Sequence, residues 1–464
     1  MGFHMNQQRR RFMRAAAAGG VAYAFGRTPG TILAQSAGVG GFADYKALVC
    51  VFMFGGNDSW NMVVPTSSAE YHAYYAARGG GTTSSLAIDQ GVLLPINLAV
   101  PDPGGVTYGF HPNMSEMQTL FNAGRCAVVA NVGPLLQPTT KTQYQQGLAL
   151  PPQLFSHNDQ QDQWHSLRGK SLLKSGWGGR VADVLATQLG GQQLALNVSL
   201  AGQTLFQAGE VATPYVIGST GATTFSGFGA SGVSLGRRQA FDAIVGAAYP
   251  DIYERGFAAV QKRAVQYADL VNNAITGSYN FAALPDTGVT LSPLATQLRT
   301  VAKMIYQHSA LSMSRQIFFV STGGFDSHDN QVTDQPGLLG NISASLKSFY
   351  DALTEVGMQG LVTTFTHSDF GRTLTSNGDG SDHAWGGVQL VVGGAVLGQK
   401  IYGQYPLLQL GGALDVGGGR FIPTTSADQY AATLARWFGV DASQLVQVAP
   451  NINNFTVQDL GFLA

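Results

Sequence analysis

Four apolar runs, each closed by glycines or a polar loop, constrain this chain more than any other feature. Residues 46–54 (KALVCVFMF) are apolar after Lys46 and stop at Gly55-Gly56. Residues 125–132 stop at Gly133-Pro134, residues 316–321 (QIFFVS) run into Gly323-Gly324, and residues 360–366 (GLVTTFT) run into His367-Ser368-Asp369. Short apolar runs without alternation are how strands buried on both faces read. Such strands belong to a mostly parallel sheet with helices on both sides. Helical patterns fill the intervals at 113–123, 140–149, 157–168, 177–188, 236–247, 250–277, 294–311, 337–356 and 426–438. Strand 316–321, helix 337–356 and strand 360–366 read as a βαβ unit with parallel strands. A further strand is expected near 388–393, after a polar loop. Between 193 and 232, short β-like pieces separated by Gly, Ser and Thr predict a β-rich insertion or cap. No repeat, linker or charge run divides the chain, so 41–464 reads as a single α/β domain.

The amino terminus reads differently. Gln8-Arg9-Arg10-Arg11-Phe12-Met13-Arg14 has two arginines, a spacer, Phe, a Leu-like residue and a base, and Ala15 to Phe25 is apolar, small and free of acids. That order is the pattern of a twin-arginine export signal. The apolar stretch is short of the roughly 20 residues a bilayer span takes. Residues 1–40 are therefore set apart as a signal peptide, with cleavage after Ala34 or Ala37 or retention uncleaved both open. The expected location is the periplasm or outside the cell, with the Tat translocase as partner during export and no stable transmembrane span once the signal is removed. Charged residues make up 11% of the chain and the net charge is −1, which speaks against nucleic acid as a partner. Cys50 and Cys126 both lie in apolar runs and read as buried free thiols.

In an open parallel sheet, ligands bind beyond the carboxyl ends of the strands. Here the strands lead into Gly55-Gly56-Asn57-Asp58, into Gly323-Gly324-Phe325-Asp326-Ser327-His328, and into His367-Ser368-Asp369-Phe370-Gly371-Arg372. Before the last strand stands Ser381-Asp382-His383-Ala384-Trp385. Carboxylates and imidazoles are scarce elsewhere. If these loops share one edge, Asp58, Asp326, His328, Asp369 and His383 converge as ligands of a divalent metal ion. Arg372 suits an anionic oxygen, because its planar fork matches phosphate and sulfate. Ser156, opening the helix at His157, reads either as an N-cap or as a nucleophile activated by a metal or by His157. Each acid or imidazole alone reads better as a loop-fixing group; the set carries the expectation. Trp60, Trp164, Trp177 and Trp385 stand near these loops, either lining a pocket or packing. No G-x-S-x-G follows a strand, so the usual serine hydrolase arrangement is not indicated.

Phe54-Gly-Gly-Asn-Asp58, His111-Pro112, Phe155-Ser-His157 with Gln160, Phe325-Asp-Ser-His328 with Gln331, Ser368-Asp-Phe-Gly-Arg-Thr373 and Asp382-His-Ala-Trp-Gly386 together resemble the DUF1501 family. That family of exported bacterial proteins is distantly similar to the alkaline phosphatase and sulfatase superfamily. The resemblance implies an alkaline-phosphatase-like, mostly parallel sheet flanked by helices. It implies metal-binding roles for Asp58, Asp326, Asp369 and His383, and a nucleophile at Ser156. The chain departs from the superfamily's pattern in two places. Phe370 stands where a histidine is expected, and His328 lies two residues after Asp326, with Asn330 at the fourth position. A full two-metal centre is therefore not expected, which leaves a single-metal, rearranged or catalytically silent site.

The expectation is an exported, metal-dependent phosphate- or sulfate-ester hydrolase-like protein using Zn, Mn, Ca or Mg. It acts on an anionic small molecule, with Ser156 or water attacking and Arg372 holding the anion. The alternative is a non-catalytic periplasmic binding or assembly protein with a degenerate site.

Overall fold

The computed structural model describes residues 42–169, 171, 174–189 and 194–464; the export signal expected over 1–40 lies outside them. In chain order the strands are β1 (Lys46–Met53), β2 (Val63–Pro65), β3 (Leu94–Ile96), β4 (Tyr108–Phe110), β5 (Cys126–Gly133), β6 (Asn197–Ser199) and β7 (Tyr215–Val216). They continue with β8 (Arg315–Thr322), β9 (Val362–Ser368), β10 (Arg372–Ser376), β11 (Ser381–His383), β12 (Gly387–Gly393), β13 (Ile401–Tyr402) and β14 (Thr425–Ser426). Nine of them form one sheet in the order β13-β5-β12-β9-β1-β8-β6-β7, with β14 also paired to β5. β2, β4 and β3 make a small antiparallel sheet, and β10 and β11 a two-stranded ribbon.

Burial on both faces explains the unbroken apolar runs. Along β1, Ala47, Val49, Val51 and Met53 join one core, and Leu48, Cys50 and Phe52 join the other. Helices Ser115–Asn122, Pro293–Tyr306 and Gln331–Glu355 cover the first face. Helices His157–Ser166, Trp177–Leu185 and Ala427–Phe438 cover the second. The result is a mostly parallel sheet between two helical layers. Cys50 and Cys126 are buried free thiols. Their strands are separated by β9 and β12, and their side chains lie in different cores, so no disulfide can form.

The sheet's strand directions position the site. β12 is antiparallel to both β5 and β9, and the other pairs in this sheet are parallel. The loop before β12, rather than the loop after it, therefore reaches the edge where β1, β8 and β9 end. β8 and β9 are parallel but not adjacent, because β1 lies between them.

Several boundaries differ from the expected ones: the helix at 294–311 ends at Tyr306 and the helix at 140–149 at Gln145. The β-rich stretch expected between 193 and 232 supplies β6 and β7, which extend the sheet's edge, with Val198 paired beside Phe318 of β8. The helix expected from 337 begins at Gln331 and carries Pro336 within it. Proline there, in the second turn, lacks the N–H that would bond the carbonyl of Val332, so the helix gives up one hydrogen bond. The helix Ser68–Ala77 and the β2-β4-β3 sheet have no clear signal in the sequence, because their apolar residues are few and short in run. Among the described residues, no helix is long and apolar enough to cross a membrane.

Candidate metal centre

Glycines allow the strand-end loops to meet. Gly55 sits at φ +117°, and a Cβ on it would lie 2.2 Å from the Asp326 amide nitrogen. A Cβ on Gly371 would lie 2.1 Å from the Gly386 carbonyl oxygen. The loops after β1 and β8, and those after β9 and before β12, thus approach backbone to backbone. Arg372, fully buried, fastens them. Its Nε donates to Gly56 O at 2.9 Å, Nη1 to Ser381 O at 2.8 Å, and Nη2 to Gly55 O at 2.6 Å and Phe325 O at 3.1 Å. Nη2 also pairs with Asp326 Oδ1.

Around Asp326 three imidazoles converge. His157 Nε2 lies 3.4 Å from Asp326 Oδ2; His328 Nε2 and His383 Nε2 lie 3.2 Å and 3.4 Å from Oδ1. One ligand atom each from His157, Asp326 and His383 falls within 4.8 Å of the others. Each histidine is held from behind through Nδ1. His157 Nδ1 is 2.6 Å from Asp369 Oδ2, His383 Nδ1 is 2.7 Å from Phe155 O, and His328 Nδ1 is 3.3 Å from Asp382 Oδ1. A carbonyl or carboxylate only accepts, so in its neutral form an imidazole bonded this way carries its proton on Nδ1 and turns the Nε2 lone pair toward Asp326. His328 Nε2 and His383 Nε2 face each other at 2.8 Å. Two lone pairs that close require a cation or a proton between them. His157 Nε2 is buried and makes no hydrogen bond.

Orientation of imidazole ligands through the far nitrogen is the usual support of a metal site. Asp369 Oδ2 also accepts from Gln161 Nε2 at 3.0 Å and Gly55 N at 3.2 Å, which fixes it behind His157. Phe155 holds φ at +73°, a strained value for a bulky residue, and thereby aims its carbonyl at His383. Burial lowers the pKa of His383; the Phe155 hydrogen bond opposes this, while Arg372, His157 and His328 reinforce it. A neutral imidazole is the form that binds a metal. Partial burial raises the Asp326 carboxyl, but the Arg372 hydrogen bond and charge, with His157 and His328, hold it below its ordinary value.

The other expected residues stand elsewhere. Asp58 does not reach the cluster: it is buried, with Oδ1 paired to Arg78 and Oδ2 accepting from the Gln331 amide. Asp369 orients His157 rather than joining the four convergent groups. Arg372 is engaged by backbone carbonyls and Asp326, so it is a loop fastener and not an exposed anion binder. Ser156 occupies the N-cap position, and its Oγ donates to Asp159 Oδ2 at 2.6 Å. Among the described residues it makes no side-chain bond to the cluster. Trp60, Trp164, Trp177 and Trp385 are all fully buried and pack. Sequence reasoning missed His157 as a member of the cluster, having paired it only with Ser156. Its signal was its position, the first residue of a helix that starts beside these loops.

Fold and cluster together define an α/β protein whose candidate site stands at the carboxyl edge of a mostly parallel sheet. The chain belongs to the DUF1501 family, described as a protein of unknown function, whose model matches residues 45–449. Comparison with curated proteins finds no match. Among solved structures, the chain is similar to Ps i-CgsB in complex with k-i-k-neocarrahexaose, at 10% identity and a TM-score of 0.36, covering 89% of this chain and 77% of that one. It is similar also to the PsFucS1 sulfatase from Pseudoalteromonas sp., at 11% identity and a TM-score of 0.33, covering 90% of this chain and 72% of that one.

Proposed function

We propose that this is an exported, metal-dependent hydrolase of phosphate or sulfate esters, with His157, Asp326, His328 and His383 holding one divalent ion. The observation that carries the reading is the set of three imidazoles, each pinned through Nδ1, with their Nε2 atoms gathered on one carboxylate. The donor set fits the group: nitrogen-rich with one oxygen, it suits zinc better than magnesium or calcium, which take oxygen ligands. A divalent ion held there supplies Lewis acidity to an ester oxygen and to water. The chain's own groups do the rest. Asp369 keeps the His157 proton on Nδ1, Phe155 O does the same for His383, and Arg372 fixes Asp326. Ser156 keeps its hydroxyl on Asp159, so water is the attacking group in this reading. Export by the twin-arginine route, delivering the protein folded and loaded to the periplasm, belongs to the same proposal.

The test is hydrolysis of 4-nitrophenyl phosphate and 4-nitrophenyl sulfate by protein reconstituted with Zn, Mn, Ca or Mg, beside His157→Ala. The proposal expects turnover with one of these metals and its loss in the variant. Stoichiometric metal without hydrolysis of any ester in a broad panel would favour the non-catalytic binding protein instead.

A further inference from the structure

With Arg372 buried among carbonyls, the proposed reaction needs another cation for its anion, and one stands at the mouth of the cluster. A cleft of about 390 Å³ opens over His328 and His383, with Arg420, Phe155, Tyr144 and Val416 on its walls. Arg420 Nε donates to the carbonyl of His383 itself at 2.9 Å, and Nη1 donates to Gly417 O at 3.1 Å. Its guanidinium lies 5.6 Å from the centre of the Phe155 ring. Among the described residues Nη2 makes no hydrogen bond and Arg420 has no carboxylate partner. The cation is also preorganised. Asp415, buried, accepts from Gly411 N at 2.8 Å, Gly417 N at 2.7 Å and Gly419 N at 2.8 Å, which fixes the turn that carries Arg420. An unpaired guanidinium tied to a cluster histidine's backbone and facing an open cleft has the charge and the donors to take an anion.

We propose that Arg420 binds the oxyanion of the substrate, a monoester of phosphate or sulfate whose organic part rests on Phe155, Tyr144 and Val416. The proposal rests on reading the histidine cluster as the centre of an ester hydrolase. Asp382, also on the cleft wall, is bonded through Oδ1 to His328 and to Asn377 Nδ2 at 3.1 Å, and among the described residues it makes no ion pair with Arg420.

Metal content of the native protein and of Arg420→Ala is measured first. Binding of inorganic phosphate, inorganic sulfate, phenyl phosphate and phenyl sulfate is then measured by calorimetry, and the paired arms separate the two oxyanions. The expected result is weaker binding of the preferred oxyanion in Arg420→Ala, roughly ten- to hundredfold, at unchanged metal content, with partial recovery in Arg420→Lys. Native affinity in Arg420→Ala overturns the proposal. If the variant loses metal or fold, phenylglyoxal labelling of the native protein decides. Labelling of Arg420 that the bound oxyanion blocks supports the role, and labelling it leaves unchanged refutes it. Native protein that takes no metal contradicts the hydrolase reading alone. The metal-free protein then answers for Arg420, since anion binding lost in Arg420→Ala supports the site and no binding by the native chain overturns it.

Discussion

His157 is held from behind by Asp369 and open in front, where its Nε2 faces Asp326 without a hydrogen bond. This is the residue-scale basis of the account, because removing the partner behind a ligand loosens the ligand without deleting it. Replacing Asp369 with Asn leaves the helix and the imidazole in place but takes away the charge that steadies the Nδ1 proton. Metal affinity should then fall by about 10- to 100-fold, read by competition with a chromophoric chelator. Native affinity in Asp369→Asn would show that this carboxylate does not support the centre. Phe155 belongs to the same scale. Its left-handed backbone costs about 1–3 kcal/mol, a cost offset only if the carbonyl it aims at His383 matters.

At the scale of elements, the site exists because strand ends meet, and Gly55 is where the tolerance is smallest. Gly55→Ala places a Cβ 2.2 Å from the Asp326 backbone nitrogen at a φ of +117°. The loop bearing Asp326 must then shift. The expected outcome is a lowered Tm together with loss of metal at stoichiometric concentration; a variant that keeps both would show the two loops are not interlocked. Much of this level is legible in the sequence. Strands β1, β5, β8 and β9 announce themselves, since runs buried on both faces leave a continuous apolar trace, and the strand-end rule locates the loops of Asp326 and Asp369. Contacts made only by folding leave no such trace. The pairing of Asp58 with Arg78, the turn of Arg372 toward carbonyls, and the place of Arg420 beside His383 all join distant loops or depend on the direction of a side chain. The reversed direction of β12 is of the same kind: nothing in its composition marks it, yet it brings His383 to the shared edge.

For the whole molecule, the buried histidines predict a response to acid. Burial lowers His165 to about 3 and His111 to about 4, the latter against the pull of Asp58. An unfolded imidazole takes its proton near pH 6.5, whereas these folded ones stay neutral well below that. The unfolded state therefore binds more protons, and stability falls as pH drops from about 6.5 toward the folded values, by at most about 1.4 kcal/mol per pH unit for each group. Asp428 acts with the opposite sign, since burial raises it to about 7 despite its bonds to Asn451 and Ser426. The contribution of one histidine is therefore read as a difference. Unfolding in urea at several pH values should show a shallower acid decline for His165→Gln than for the native protein, and parallel curves would mean His165 titrates normally.

Whether one divalent ion sits among His157, Asp326, His328 and His383 is decided by elemental analysis of the purified protein. Native protein reconstituted with zinc, manganese, calcium or magnesium and then desalted should retain close to one ion per chain, and a folded His157→Ala/His383→Ala variant should retain none. Native protein that holds no metal when each ion is supplied in excess, or a double variant that keeps the native amount, would contradict the account.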